Sequence, residues 1–170
     1  MNRFLLRKTG LGKQLLAGFV SLCLFTGAAE GAGVQPSTFD SVIGHALLCL
    51  DALEPVYFYQ YLTDHFGMPY QHQGGAWWFR TPNTQLWGVP VSQVLVSDGH
   101  GSLLFVAALA DVAPEKLAEA ITSNAGIRYQ TGAGAYPQRE SVTGSIIVYS
   151  QLNAKLYCAL SPYFFRLGAY

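Results

Sequence analysis

The apolar run over residues 102–110, SLLFVAALA, constrains the fold more than any other part of the chain. It has the length of a β-strand and shows no alternation of polar and apolar residues. Because successive side chains of a strand point to opposite faces of a sheet, both faces of this strand are apolar. Such a strand belongs inside a sheet, with both faces removed from water. We therefore predict a sheet in which 102–110 is a central strand.

Helix and strand signals divide most of the remaining chain into elements. Apolar residues that recur every three or four positions, with a cap residue or a proline at the start, predict helices over 38–53, 55–66 and 114–124. Runs rich in β-branched and aromatic residues predict strands near 76–80, 86–97, 102–110, 144–150 and 155–160. The predicted fold class is therefore α+β, with a single mainly antiparallel sheet of about five strands and helices packed on one face.

The segments between these elements are less regular. TPNT, directly after residue 80, is typical of a turn, and IRYQ over 127–130 is a candidate for one more strand. The polar, glycine-containing stretch over 131–143 is predicted to be a loop. The aromatic segment SPYFFRLGAY over 161–170 is expected to pack back on the domain.

The first 29 residues have the order of a secretory signal peptide. Basic residues without any acidic one are followed by the uncharged run LLAGFVSLCLF and then by the small residues of TGAAEGAG. The apolar run is shorter than the roughly 20 residues that cross a bilayer, which disfavours the alternative of an uncleaved anchor. We predict a signal peptide over 1–29 and a single domain over 30–170. That domain would be periplasmic or secreted, without stable membrane insertion after cleavage.

The charge balance of the predicted mature chain excludes one class of partner. From residue 30 onward six Lys and Arg stand against ten Asp and Glu, so that 6 − 10 gives −4. No basic cluster remains to neutralise phosphates, and a nucleic-acid partner is therefore not expected. Binding to anionic membrane surfaces is disfavoured for the same reason.

The predicted mature chain keeps two cysteines, Cys49 and Cys158. In an oxidising compartment we predict that they form a disulfide. One alternative is a metal site, because His45 and Cys49 are four residues apart and share one face of a helix. His65 and His72 would then be further ligands, although their spacing matches no known metal motif. A second alternative is a pair of buried free thiols. We predict no metal and no cofactor.

No catalytic residue can be assigned from the sequence. SDGH over 97–100 has the residue types of a hydrolase triad, but triads are assembled from distant positions and a surface turn explains these residues better. Asp64 and His65 stand at a helix end, where a histidine is ordinary. We therefore favour a protein that is not an enzyme.

The order of elements resembles that of the YbjN-like, type III secretion chaperone-like domains over about residues 55–160. The resemblance rests on a helix ending in YLTDHFGMPY that leads into WWFR, and on LLFVAALADVAPEKLAEAITSNAG, where a strand passes through a short cap into a helix. It implies a small α+β module that commonly dimerises and binds other proteins. The shared motifs are structural, so the resemblance implies no catalytic residue.

The second face of the predicted sheet points to a function. Its strands are apolar on both faces, whereas the three helices share one face, so the opposite face is expected to bind a protein partner or a second copy. The candidate binding-surface residues are Trp77, Trp78, Leu104, Phe105 and Tyr149.

Two functions of different classes follow. The first is a non-enzymatic periplasmic protein-binding module, chaperone-like or accessory to secretion. The alternative is a small-molecule-binding protein or an enzyme that uses an aromatic pocket near Trp77, Trp78, His65 and His72. A flat apolar sheet face favours the first function, and a pocket that joins a tryptophan to a histidine favours the second.

Overall fold

The structure, a computed structural model, describes residues 34–132, 138–150 and 153–161. It contains one antiparallel sheet of eight strands in the order β1-β2-β3-β4-β8-β7-β6-β5. The strands are β1 (Gln71–Gln73), β2 (Ala76–Leu86), β3 (Val89–Ser97), β4 (Leu104–Ala110), β5 (Tyr129–Thr131), β6 (Gln138–Ser141), β7 (Ile146–Ser150) and β8 (Asn153–Leu160). The signal peptide and the C-terminal aromatic segment that the sequence predicts lie outside the described residues, except for Ser161.

The α+β class is confirmed, but the predicted number of five strands is wrong. The five predicted strands correspond to β2, β3, β4, β7 and β8, and the three additional strands lie at the two edges of the sheet. β1 consists of three exposed polar residues, and β6 lies inside the stretch that was expected to be a loop. These edge strands bury few side chains, so they lack the apolar alternation by which strands are recognised in a sequence.

The predicted turn at TPNT is also wrong, because β2 continues through it to Leu86. The pairing of β2 with β3 is irregular between Arg80 and Thr84. Both threonines of this bulge, Thr81 and Thr84, are buried and donate hydrogen bonds to the carbonyl of Val91, at 3.0 and 2.9 Å. The hydroxyl groups thus replace ladder hydrogen bonds that the bulge disrupts.

β4 has the central position that its composition predicts. It lies between β3 and β8, the fourth of the eight strands. Val106 and Ala107 point to opposite faces of the sheet and are each 0% exposed. The middle of this strand is therefore buried on both faces, whereas Phe105 and Leu109 on one of them are only partly buried.

The helices pack on one face of the sheet. α1 begins with a π-helical stretch, Asp40–Gly44, and continues as an α-helical turn, His45–Leu47; α2 is Pro55–Phe66 and α3 is Pro114–Ala125. Buried residues of all three helices form one core with the helix side of the sheet. α2 and α3 agree with the prediction, whereas α1 is shorter than the predicted 38–53. It ends early because Cys49 has a φ of 56°, in the left-handed region that helices do not use.

The predicted disulfide between Cys49 and Cys158 is confirmed, with a Cα–Cα distance of 5.4 Å. Cys49 follows α1, and Cys158 is buried in β8, opposite Val106 of the central strand. The disulfide therefore joins the end of α1 to the middle of the sheet. It also excludes the metal site and the free thiols that were the alternatives, and His45 instead lies 3.6 Å from the carboxylate of Asp51.

A cluster of hydroxyl groups connects the last strands of the sheet. The Tyr129 hydroxyl shares a hydrogen bond of 2.6 Å with Ser145, which shares another of 2.7 Å with Ser141. Burial raises the pKa of Tyr129 to about 12, an effect that these hydrogen bonds oppose only in part.

This raised pKa predicts a loss of stability at high pH. Between pH 10 and 12 the unfolded chain gives up the Tyr129 proton while the folded protein keeps it, so the free energy of unfolding falls as pH rises. The shift of Tyr129 from 10.0 to about 12 corresponds to roughly 2–3 kcal/mol. Urea unfolding of the wild type and of Tyr129→Phe at pH 8, 10 and 11.5 measures this effect. The variant is expected to lose less stability over the same range, and an equal loss in both proteins would contradict the assignment.

Candidate functional site

The sheet face opposite the helices carries a second apolar cluster, which we call the open face. Its residues come from the sheet alone, within the part of the chain that the structure describes: Ala76, Trp78, Leu95, Phe105, Ala107, Leu109 and Tyr157. The small or central members of the cluster are buried, and the large ones at its surface, among them Trp78 and Phe105, are only partly buried. The open face is therefore an apolar surface that has partial access to solvent.

The open face is continuous across the sheet. Trp78, Leu95, Ala107, Tyr157 and Ile146 are successive cross-strand partners on β2, β3, β4, β8 and β7. Partners in antiparallel strands point to the same side, so these residues form one row. With about 4.8 Å between strands, the row extends over roughly 19 Å.

Polar groups border this row on one side. They are Arg80, Gln93 and Lys155. Each lies two residues along its strand from a member of the row and therefore points to the same face of the sheet. The guanidinium of Arg80 lies 4.7 Å from the centre of the Tyr70 ring, and the Tyr70 hydroxyl donates a 2.8 Å hydrogen bond to Gln93. Burial lowers the pKa of Lys155. An apolar centre with a polar border is the usual anatomy of a protein–protein interface.

The five candidate binding-surface residues are divided between the two faces of the sheet. Trp78 and Phe105 lie on the open face, whereas Trp77 and Leu104 lie on the helix side of the sheet. Tyr149 is also on the helix side, where its hydroxyl donates a 2.9 Å hydrogen bond to Glu115 of α3. The prediction did not identify Leu95, Leu109 and Tyr157, although the alternation of β3, β4 and β8 places them on this face.

Trp77 and Leu104 line a cleft of about 320 Å³ between α2 and the β3–β4 connection. The other residues that line this cleft are Pro55, Val56, Tyr59, Ser97, Asp98 and Gly99. Tyr59 lies edge-to-face with Trp77, with 5.5 Å between the ring centres. Most of the cleft wall is thus apolar or aromatic, and among the described residues of the wall Asp98 is the one with a side chain that is charged at neutral pH.

Part of the aromatic pocket predicted for the alternative function is present. His72 of β1 stacks on Trp77, with 3.8 Å between ring centres, and its Nε2 atom lies 2.9 Å from the carboxylate of Asp98. Trp78 points to the other face of the sheet, and His65 contacts Tyr61 of α2 with 4.6 Å between ring centres. Of the four residues predicted for the pocket, the structure therefore brings together Trp77 and His72.

Asp98 is a functional candidate that the sequence interpretation assigned to a surface turn. Its side chain is 10% exposed. The backbone amide of His100, which donates at 3.0 Å, and the ring of His72 hold the pKa of Asp98 below its ordinary value. In the sequence, SDGH indicates a turn, and the turn is present; the burial of one carboxylate in it depends on His72, which is distant in the chain.

The residues described in the structure offer neither a metal site nor a membrane-spanning helix. Within 34–132, 138–150 and 153–161, no group of three or more His, Cys, Asp or Glu side chains could hold a metal ion. Over the same residues, no helix is long and apolar enough to cross a membrane.

Comparisons of the chain with protein-family models, with curated proteins and with solved structures found no match. The resemblance to YbjN-like domains therefore stays a prediction, and the geometry of the open face and of the cleft carries the functional argument.

Proposed function

We propose that the protein is a non-enzymatic, exported protein-binding module, chaperone-like or accessory to secretion, which binds its partner on the open face. The observation that carries this proposal is the continuous apolar row from Trp78 to Ile146, which the described helices leave uncovered. Partly buried aromatic side chains such as Trp78, Phe105 and Tyr157 are the kind of residue that anchors protein interfaces.

The disulfide supports the proposed location. Disulfides persist in oxidising compartments and are rare where thiols are kept reduced. The bond between Cys49 and Cys158 is thus compatible with export, as is the signal-like order of the first 29 residues. A periplasmic or secreted protein with an apolar sheet face fits a role in which it holds another polypeptide or a second copy of itself.

Replacing Phe105 with Asp tests the proposal. Phe105 is partly exposed on the open face, so the carboxylate can reach water in the monomer but would be buried without a partner in the complex. We expect Phe105→Asp to abolish association while the far-ultraviolet spectrum and cooperative unfolding persist. Val142, which is 91% exposed outside the open face, provides the matched control Val142→Asp.

Association is measured by sedimentation of the mature protein and by photo-crosslinking in exporting cells from a reactive residue at position 157. A crosslinked species of twice the protein's mass identifies a homodimer, and one of another mass identifies a client. In either case the Phe105→Asp change should remove it and the Val142→Asp change should not. Equal crosslinking in both variants would contradict the proposal.

A further inference from the structure

The cleft between α2 and the β3–β4 connection is a second site, separate from the open face. Trp77 and Trp78 are neighbours on β2 and point to opposite sides of the sheet. The cleft belongs to the helix side, so a ligand there does not compete with a partner on the open face. At about 320 Å³ it is at the lower end of the volumes typical of small-molecule sites.

The charge of the cleft is one-sided. Among the described residues that line it, Asp98 is the only one whose side chain is charged at neutral pH, and none is a lysine or an arginine. The carboxylate accepts hydrogen bonds from His72 and from the backbone amide of His100, which leaves further lone pairs on its two oxygens. A group that donates hydrogen bonds and carries positive charge would complement this wall.

The sequence around the cleft also has an excess of negative charge. Residues 31–79, which contain α1 and α2, include four acidic residues and no lysine or arginine. Two of the four, Asp51 and Glu54, line the hollow next to the cleft, on the other side of the start of α2. Carboxylates thus outnumber lysines and arginines in this part of the chain, and such an excess of negative charge favours cations.

The aromatic walls suit the same ligand. Tyr59 and Trp77 both line the cleft. One face of the Trp77 ring is covered by His72, so an ammonium group would use the other face of Trp77 or the ring of Tyr59. Val56 and Leu104 provide apolar surface beside them. We propose that the cleft binds an organic cation, a protonated amine or quaternary ammonium carried on a small apolar body.

The test uses three probes of similar shape and different charge: 2-phenylethylammonium, neutral 2-phenylethanol and anionic 3-phenylpropionate. Binding to the full mature protein is followed by NMR of the three ¹⁵N-labelled tryptophan indoles, assigned with Trp→Phe variants. We expect the cation to bind roughly tenfold or more tightly than the neutral probe, with the largest shift at Trp77. Equal binding of the neutral or anionic probe, or a largest shift at Trp78, would overturn the proposal.

Charge changes at Val56 provide an independent check. Val56 is 80% exposed at the start of α2, so either a glutamate or a lysine is accommodated without disturbing the core. Both changes remove the same apolar contact from the cleft wall, so Val56→Lys should bind the cation several-fold more weakly than Val56→Glu does, whereas Val142→Lys is the control for net charge alone. Asp98→Asn should weaken it by roughly tenfold. If Val56→Lys and Val56→Glu have the same effect, charge does not select the ligand and the proposal fails.

Two sources could supply such a cation, a free amine or the lysine side chain of a polypeptide. A blocked peptide, acetyl-Phe-Lys-Phe-amide, titrated beside 2-phenylethylammonium distinguishes them. Tighter binding of the peptide assigns the site to a basic polypeptide, and tighter binding of the free amine assigns it to a small molecule. Because these titrations do not involve the open face, Phe105→Asp should leave them unchanged. The proposal for the cleft and the proposal for the open face can therefore fail independently of each other.

Discussion

Removal of the Cys49–Cys158 disulfide is expected to lower the free energy of unfolding by as much as about 4.7 kcal/mol. The two cysteines are separated by 109 residues, so the bond restricts most of the unfolded chain. Domains of this size have total stabilities of roughly 5–15 kcal/mol, so this loss is a large fraction of the whole. Urea unfolding of the oxidised wild type and of a Cys49→Ala/Cys158→Ala variant measures it.

Reduction provides the control for this experiment. Dithiothreitol should destabilise the wild type to about the level of the double variant and should leave the double variant unchanged. The mass of the non-reduced protein should be two hydrogens lower than that of the reduced form. A double variant that loses less than about 1 kcal/mol would contradict the expected contribution of the disulfide.

The parts of the fold that were predictable are those that bury apolar side chains. α2 and α3 each start at a proline and end at or next to a glycine, and β4 has a composition that allows only a central position. The sequence pattern misses β1 and β6 because their residues are all polar, and those of β1 are also exposed. At TPNT the local turn signal is overridden by the threonine hydrogen bonds to Val91.

The candidate sites were predictable only as far as alternation along a strand determines them. Alternation places Trp77 and Trp78 on opposite faces of the sheet, but it does not show which of the two faces the helices cover. Nor does it show that His72 and Asp98, which are 26 residues apart, meet beside Trp77. That contact depends on the pairing of β1 with β2, an edge pairing without a strong sequence signal.

The difference between the two faces predicts that neighbouring aromatic residues on β2 have opposite roles. Phe79 is 1% exposed in the helix-side core, where its ring centre lies 5.6 Å from that of Tyr59. Its replacement by Ala leaves a cavity that the packed helix cannot fill, and the expected cost is about 3–5 kcal/mol. Trp78 lies partly exposed on the open face, so Trp78→Ala should cost less than Phe79→Ala, because a smaller fraction of its surface is buried in the monomer.

Association should show the reverse order. Trp78→Ala removes an aromatic anchor from the proposed binding face, and it should weaken partner binding even where the protein is fully folded. Phe79→Ala should weaken binding only in proportion to the fraction of protein that is unfolded. Sedimentation at several urea concentrations can separate this loss through unfolding from a direct loss of contacts. If Trp78→Ala destabilises the monomer as much as Phe79→Ala does, the open face is part of the folded core, because only a side chain packed on all sides within one chain carries a cost of that size.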